Sequence, residues 1–356
     1  MFLQRVLQAS AALSLLSRTS AQTACNNSPS LCSKAYNNIT HLGAHDSPFL
    51  RDESTSFSTA GNQFFNSTVQ LNAGVRLLSA QVHRKNDTTG SQQWHLCHGD
   101  CIFLDAGLLE DWLKEIKTWM DANTNDVVTV LLVNGDGAKA SDLGPIFASS
   151  GIDDLAYSPP TAGTIPTTWP TLQSLISNNT RLMTFVASLS PPSSEFPYLM
   201  DEFTYMFENS FENRSPTDYS CNPDRPTSLT NTSQAASSGR MFLQNHFLYT
   251  NGGFFDSPNA TYVNTTNAQT GLGALGEALK TCTSVYGKAA NFVLVDFFNV
   301  GPAIASVDAA NGVSSAVGRK TVTQEVVEPS ANGVGRRKAS ILAVVVAFST
   351  VVGLVL

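Results

Sequence analysis

Two histidines stand out by the residues around them. His45 lies in Gly43-Ala44-His45-Asp46-Ser47, where a short apolar run delivers an imidazole, a carboxylate and a hydroxyl in succession. His98 lies in Leu96-Cys97-His98-Gly99. An imidazole changes charge near neutral pH, so two held apart on a rigid scaffold can divide general base and general acid work. A phosphodiester is the substrate such a division suits: one ring takes the proton of the attacking oxygen, the other supplies one to the leaving oxygen. Asp46 beside His45, and Asp296 alone within the apolar run Asn291 to Phe298, add carboxylates.

Those residues need elements to position them. Ile39 to Ala44 reads as a short buried strand that ends at His45. Val75 to His83 is the clearest strand, with Val75, Leu77, Ser79, Gln81 and His83 on one face. That face turns polar toward its C-terminal end, which makes Ser79, Gln81 and His83 candidates to meet a substrate. Apolar residues on both faces suit a parallel sheet covered by helices. Ala106 to Asn123 carries Leu109, Leu113, Ile116 and Met120 on a helical stripe, and Val127 to Val133 is an aliphatic strand leading to Asn134, a further candidate to line the pocket. Strands are expected again at Leu182 to Ala187, Phe203 to Phe207, Met241 to Gln244 and Asn291 to Phe298. Helices are expected at 62–73, 171–176 and 272–285. This alternation predicts an α/β fold, a single-domain distorted TIM-type (β/α)8 barrel.

The 356 residues, 42% hydrophobic and 14% charged with a formal charge of −7, suit one large domain and argue against nucleic-acid binding through a basic surface. Residues 1–21 have the charged, apolar and small-residue order of a secretory signal peptide. Residues 22–305 would form the barrel and 306–330 a Ser, Gly and Val rich linker. Residues 331–356 pair a polar spacer with an apolar tail, as in a GPI-attachment signal, with a C-terminal transmembrane anchor as the rival. Either places the protein at an extracellular face or cell wall, with the membrane surface as a partner. Six cysteines allow fifteen pairings. Proximity favours Cys25–Cys32 and Cys97–Cys101, leaving Cys221–Cys282. Nine N-x-S/T sequons fit a glycosylating route.

With both histidine motifs in hand, the chain resembles the phosphatidylinositol-specific phospholipase C X-domain group, and more narrowly its secreted fungal PLC-like phosphodiesterases. Gly43-Ala44-His45-Asp46-Ser47 matches G-[TA]-H-[DN]-S, Gly74-Val75-Arg76 matches the opening of the second strand, and Leu96-Cys97-His98-Gly99 matches the second histidine motif. The resemblance covers about residues 38–301. It implies a lipid or inositol phosphodiester substrate, with His45 taking the proton of the attacking hydroxyl and His98 protonating the leaving oxygen. It also implies that Asp46 lies near the site and that Asp296 orients His45. One departure is clear. Ser79 and Gln81 stand where the bacterial enzymes carry D-x-R and the calcium-dependent ones carry acidic residues. The chain thus has neither that arginine nor a Ca²⁺ ligand pair there, and His83 or Lys85 would have to meet the phosphate charge. No metal or other cofactor is expected. The competing reading is a catalytically impaired barrel that acts as a cell-surface or cell-wall binding protein. A metal-dependent glycerophosphodiesterase relative would need more acidic ligands.

Overall fold

A computed structural model describes residues 24–250 and 256–329. The signal-peptide and C-terminal anchor expectations lie outside the described residues. β1 (His41–Ala44) opens the barrel, followed by α1 (Ser67–Ala73), β2 (Leu77–Asn86), β3 (Gln92–Cys97), β4 (Asp105–Leu108), α2 (Leu109–Ala122), β5 (Val128–Asn134) and α3 (Ala140–Ser150). Next come α4 (Leu172–Ser177), β6 (Leu182–Val186), β7 (Leu199–Asp201), α5 (Glu202–Tyr205), β8 (Met206–Glu208), α6 (Thr232–Ser237) and β9 (Met241–Asn245). α7 (Val263–Thr266), α8 (Leu275–Tyr286), β10 (Phe292–Val295) and α9 (Ala303–Asn311) are the last elements among the described residues. Eight strands pair in parallel in the order β7-β6-β5-β2-β1-β10-β9-β8. No ladder joins β7 to β8 among the described residues; the single turn α5 connects these two three-residue strands instead. The result is a distorted barrel of one domain.

The two-residue period of a strand sets its inside and outside. Leu77, Leu131, Leu243, Phe292 and Leu294 belong to the core cluster within the barrel, while Leu78, Val130, Leu132, Val293 and Val295 pack beneath the helices. Each such buried side chain contributes roughly 1.5–3 kcal/mol. Gly43 also faces inward, and a Cβ there would come within 2.7 Å of Leu294 and 2.8 Å of Leu77. The glycine of the first histidine motif is thus a packing requirement of the barrel interior.

The inward residues change character along β2, β10, β9 and β8. Leu77 gives way to Ser79 and Gln81, Leu294 to Asp296, Leu243 to Asn245, and Met206 to Glu208. The apolar ends fill the barrel and the polar ends form its mouth. At the opposite end Arg76 is buried against Asp126, with Nη2 and Oδ1 2.7 Å apart.

Several sequence expectations are redrawn. β2 runs past His83 to Asn86 and returns as β3, an antiparallel hairpin where a loop was expected. The helix expected from Ala106 starts at Leu109, because Gly107 has φ 96° and Asp105 to Leu108 pairs with β3. The strand expected at Phe203 to Phe207 is a helical turn and then β8, because the Asp201 side chain caps α5 by accepting from Thr204 N at 2.8 Å. α3 contains Gly144 and Pro145, both helix-breaking signals, which hid it from the pattern.

The segment expected as linker from residue 306 instead continues the domain. α9 covers the lower end of β1, where Asn311 Nδ2 donates to the Thr40 carbonyl at 2.7 Å. Residues 312–329 then form a strap along the barrel. Arg319 makes two bonds to Asp308, at 2.6 and 2.8 Å, and Lys320 N donates to Asn72 O at 2.8 Å. Three disulfides join Cys25 to Cys32, Cys97 to Cys101 and Cys221 to Cys282.

Candidate active site

His45 is the first residue past β1, and alternation turns it inward over the polar end of the barrel. Its Nδ1–H donates to Asp296 Oδ1 at 2.9 Å. Asn62 Nδ2 donates to the same oxygen at 3.0 Å. This network assigns the proton to Nδ1 and leaves Nε2 as the basic atom. Phe247 stacks on the His45 ring at 3.7 Å between centroids and 3° between planes. The ring is therefore fixed in tilt as well as in tautomer.

His98 follows β3 and is held in the same manner. Its Nδ1–H donates to the Ala60 carbonyl at 2.5 Å, and Phe49 stacks on it at 5.3 Å. Nε2 is again the free atom. The Cys97–Cys101 disulfide brackets this histidine. Asp46 Oδ2 lies 3.6 Å from His45 Nε2 and 3.5 Å from His98 Nε2. Two basic atoms thus converge on one point, each with its other nitrogen tied to a fixed acceptor.

Asp46 sits in the left-handed region at φ 49°, a conformation that needs support in a residue with a Cβ. Ser79 Oγ supplies it by accepting from Asp46 N at 2.9 Å. Gln81 Nε2 donates to Asp46 Oδ2 at 2.7 Å, and Gln81 Oε1 accepts from Gly99 N at 2.8 Å. Ser79 and Gln81 are therefore brought into the site, but as supports of Asp46 and of the His98 loop. Among the described residues no Lys or Arg pairs with Asp46 or Asp296.

The other candidates lie along the rim. His83 Nδ1 is 3.2 Å from Asp136 Oδ1, and Lys85 Nζ donates to Asp105 Oδ2 at 2.5 Å. Asn134 exchanges two bonds with the Ala138 backbone, at 2.6 and 2.9 Å, and so closes the β5–α3 turn. The hydrogen bonds of these three side chains go to neighbouring turns and strands and not to the histidine pair.

Burial opposes charging of the His45 ring, yet the Asp46, Asp296 and Glu208 carboxylates outweigh it and hold its pKa above the ordinary histidine value. His246, at the end of β9, is the contrasting case. Burial pushes its pKa down to about 4, and Nε2–H donates to the Thr266 and Gly273 carbonyls at 3.0 and 3.2 Å. It is a neutral packing residue. Glu208 is buried at the end of β8; burial raises its pKa against the pull of Arg225, with which it forms an ion pair. Among the described residues no group of three or more His, Cys, Asp or Glu could hold a metal ion.

Sequence reasoning missed Asn62, Phe247 and the Ala60 carbonyl. Asn62 was placed at the start of a helix that begins only at Ser67. No local signal marks a carbonyl or a stacking ring; both act through tertiary approach.

With the parallel barrel and the geometry at its C-terminal mouth described, comparison with known proteins places the fold and the family. The family model described as PI-PLC X 1 matches residues 31–311. An uncharacterized secreted protein of Arthroderma benhamiae is 36% identical over 289 residues, 80% of this chain and 62% of that protein. The chain thus spans less than two thirds of that relative. The PI-PLC X domain-containing protein 1 of the same organism is 34% identical over 296 residues, 83% of this chain and 92% of that one. Among solved structures, the phosphatidylinositol-specific phospholipase C of Listeria monocytogenes superposes with a TM-score of 0.50 at 15% identity, covering 79% of this chain and 95% of that one. At that identity the likeness shows the fold alone. The chain belongs to the PI-PLC X domain family.

Proposed function

We propose that the protein is a phosphoric diester hydrolase of the phospholipase C type, acting on a lipid-like phosphodiester through His45 and His98. The convergence of the two Nε2 atoms on Asp46 Oδ2 carries this reading. His45 Nε2 takes the proton of a hydroxyl adjacent to the phosphate, and that oxygen attacks phosphorus. The bond from phosphorus to the leaving oxygen breaks as protonated His98 gives its Nε2 proton to that oxygen. The products are a cyclic phosphate and a free alcohol. Water opens the cyclic phosphate by the reverse proton transfers, with His98 as base and His45 as acid. Asp296 holds the first ring's tautomer and stabilises its charged form.

The weak point is the phosphate charge. Electrostatic stabilisation is commonly a large catalytic term, and here protonated His98 is the cation that meets the phosphate. Slow turnover is therefore expected. Because both polar ends of Gln81 are already engaged, the second reading is a surface-exposed binding barrel with lost catalysis. Residues 1–21 as a leader, exposed sequons as glycan carriers and residues 331–356 as a GPI signal complete the proposal of an extracellular, membrane-attached protein.

Purified protein assayed on phosphatidylinositol and lysophospholipids, with and without chelator, beside His45→Ala and His98→Ala, tests the reading. Turnover abolished by either substitution supports it. Turnover untouched by both would rule out the two-histidine mechanism, and absence of turnover with retained lipid binding favours the second reading.

A further inference from the structure

The strap beyond α9 reaches the active site from behind. Asn299, buried three residues past Asp296, donates through Nδ2 to the Thr323 and Glu325 carbonyls at 3.0 and 3.1 Å. Val326 and Val327 pack against the cluster containing Phe64 and Phe297. Phe297 stands at φ 44° and its ring lies 4.4 Å from that of Phe64. A bulky residue at positive φ costs on the order of 1–3 kcal/mol and persists only where its surroundings over-determine it. Its N–H donates to the Asn62 carbonyl at 2.8 Å. Asn62 then donates to Asp296 Oδ1, the oxygen that receives the proton of His45 Nδ1. A continuous series of contacts thus runs from the strap to the imidazole.

We propose that residues 323–329 of the strap, attached through Asn299, are a positioning element of the active site that holds Phe297 and Asn62 and, through them, the Asp296–His45 pair. The proposal rests on the two-histidine reading. Asn299 touches neither the imidazole nor the reacting atoms; it is a positioning residue. The strap lies beyond the residues matched by the family model, which ends at 311.

The test uses the full chain with Asn299→Ala. The expected result is a kcat lower by about tenfold, as a slightly misplaced base gives, with KM within about twofold. The acidic limb of the pH profile and the His45 titration followed by NMR both move to lower pH as Asp296 loosens, while Asp46 and Glu208 still face the ring. Asn299→Gln, which keeps the donor, recovers most of the loss. Arg319→Ala cuts the strap's far attachment to Asp308 and lowers the melting temperature without changing kcat or the His45 titration. Unchanged kcat and titration in Asn299→Ala, with the strap amides unprotected from hydrogen exchange, would overturn the proposal. An equal kcat loss in Arg319→Ala would also overturn it, as an effect of stability alone. If the parent protein turns over no diester, the two-histidine reading fails, and the NMR titration still decides the role of the strap.

Discussion

Two buried charged clusters lie at opposite ends of the barrel, and they are built to different rules. At the lower end Arg76 makes five hydrogen bonds, two to Asp126, one to Asn27 and two to the Leu71 and Val75 carbonyls, so each of its five N–H groups has a partner. At the mouth, Asp46 Oδ1, Asp296 Oδ2 and Asn62 Oδ1 are buried with no hydrogen-bond partner. A buried acceptor left unpaired costs about 1–3 kcal/mol. Every Arg76 donor is paired within the protein, whereas the mouth keeps three acceptors that no protein donor reaches among the described residues. The proposed function gives the mouth carboxylates a chemical role, and the Arg76 cluster has a structural one.

Substitutions can break the contrast. His45→Ala and His98→Ala should each lower kcat by roughly 10²–10⁴-fold while the melting temperature stays close to that of the parent; steady-state kinetics beside calorimetry checks this. Arg76→Ala should do the opposite. It strands Asp126 and should lose about 3–5 kcal/mol in denaturant unfolding, with kcat of the folded fraction unchanged. Gln81→Arg places a cation against Asp46 and should raise kcat by on the order of tenfold; no gain on any diester would mean that the phosphate sits elsewhere.

The smallest effect is in pH. The proposed base His45 would work only when neutral, and its pKa is raised, so kcat should rise with pH through a value above that of an ordinary histidine. Its contribution to stability has the opposite slope. A raised folded pKa stabilises fully below the unfolded value of about 6.5 and is lost as pH rises through the folded value. Asp296→Asn should shift both curves to lower pH, which profiles of kcat and of unfolding midpoint would show.

Much of the mouth was legible in the sequence because strand alternation is local. Ile39 to Ala44 read as a strand that ends at His45, and Asn291 to Phe298 as a strand that contains Asp296, while the family resemblance linked Asp296 to His45. What stayed hidden depends on distance along the chain. Asn62 meets Asp296 across 234 residues, and Phe247 reaches His45 from the β9 side. The hairpin that carries His98 was obscured because β4 and α2 share one apolar stretch. The strap looked like a linker because its attachment to Asn299 and Asn72 uses its backbone, which leaves no trace in side-chain composition, and the Arg319–Asp308 pair has no local pattern.

The strap also brings the last described residues to one end of the barrel. Its last described residues, Val326 to Pro329, line a cavity with Arg51, Phe57, Phe64 and Ala260, in loops that follow β1 and β9 on the side of the histidines. A tether attached beyond residue 329 would therefore start at the mouth. Each tether residue extends reach by at most about 3.5 Å, so a short one would confine the two histidines to diesters in the surface that holds the protein and would raise their local concentration there. Under the proposed function, such a tether would make the protein a local processor of the surface that holds it. Cutting the tether would change its substrate pool even with every atom of the site left in place.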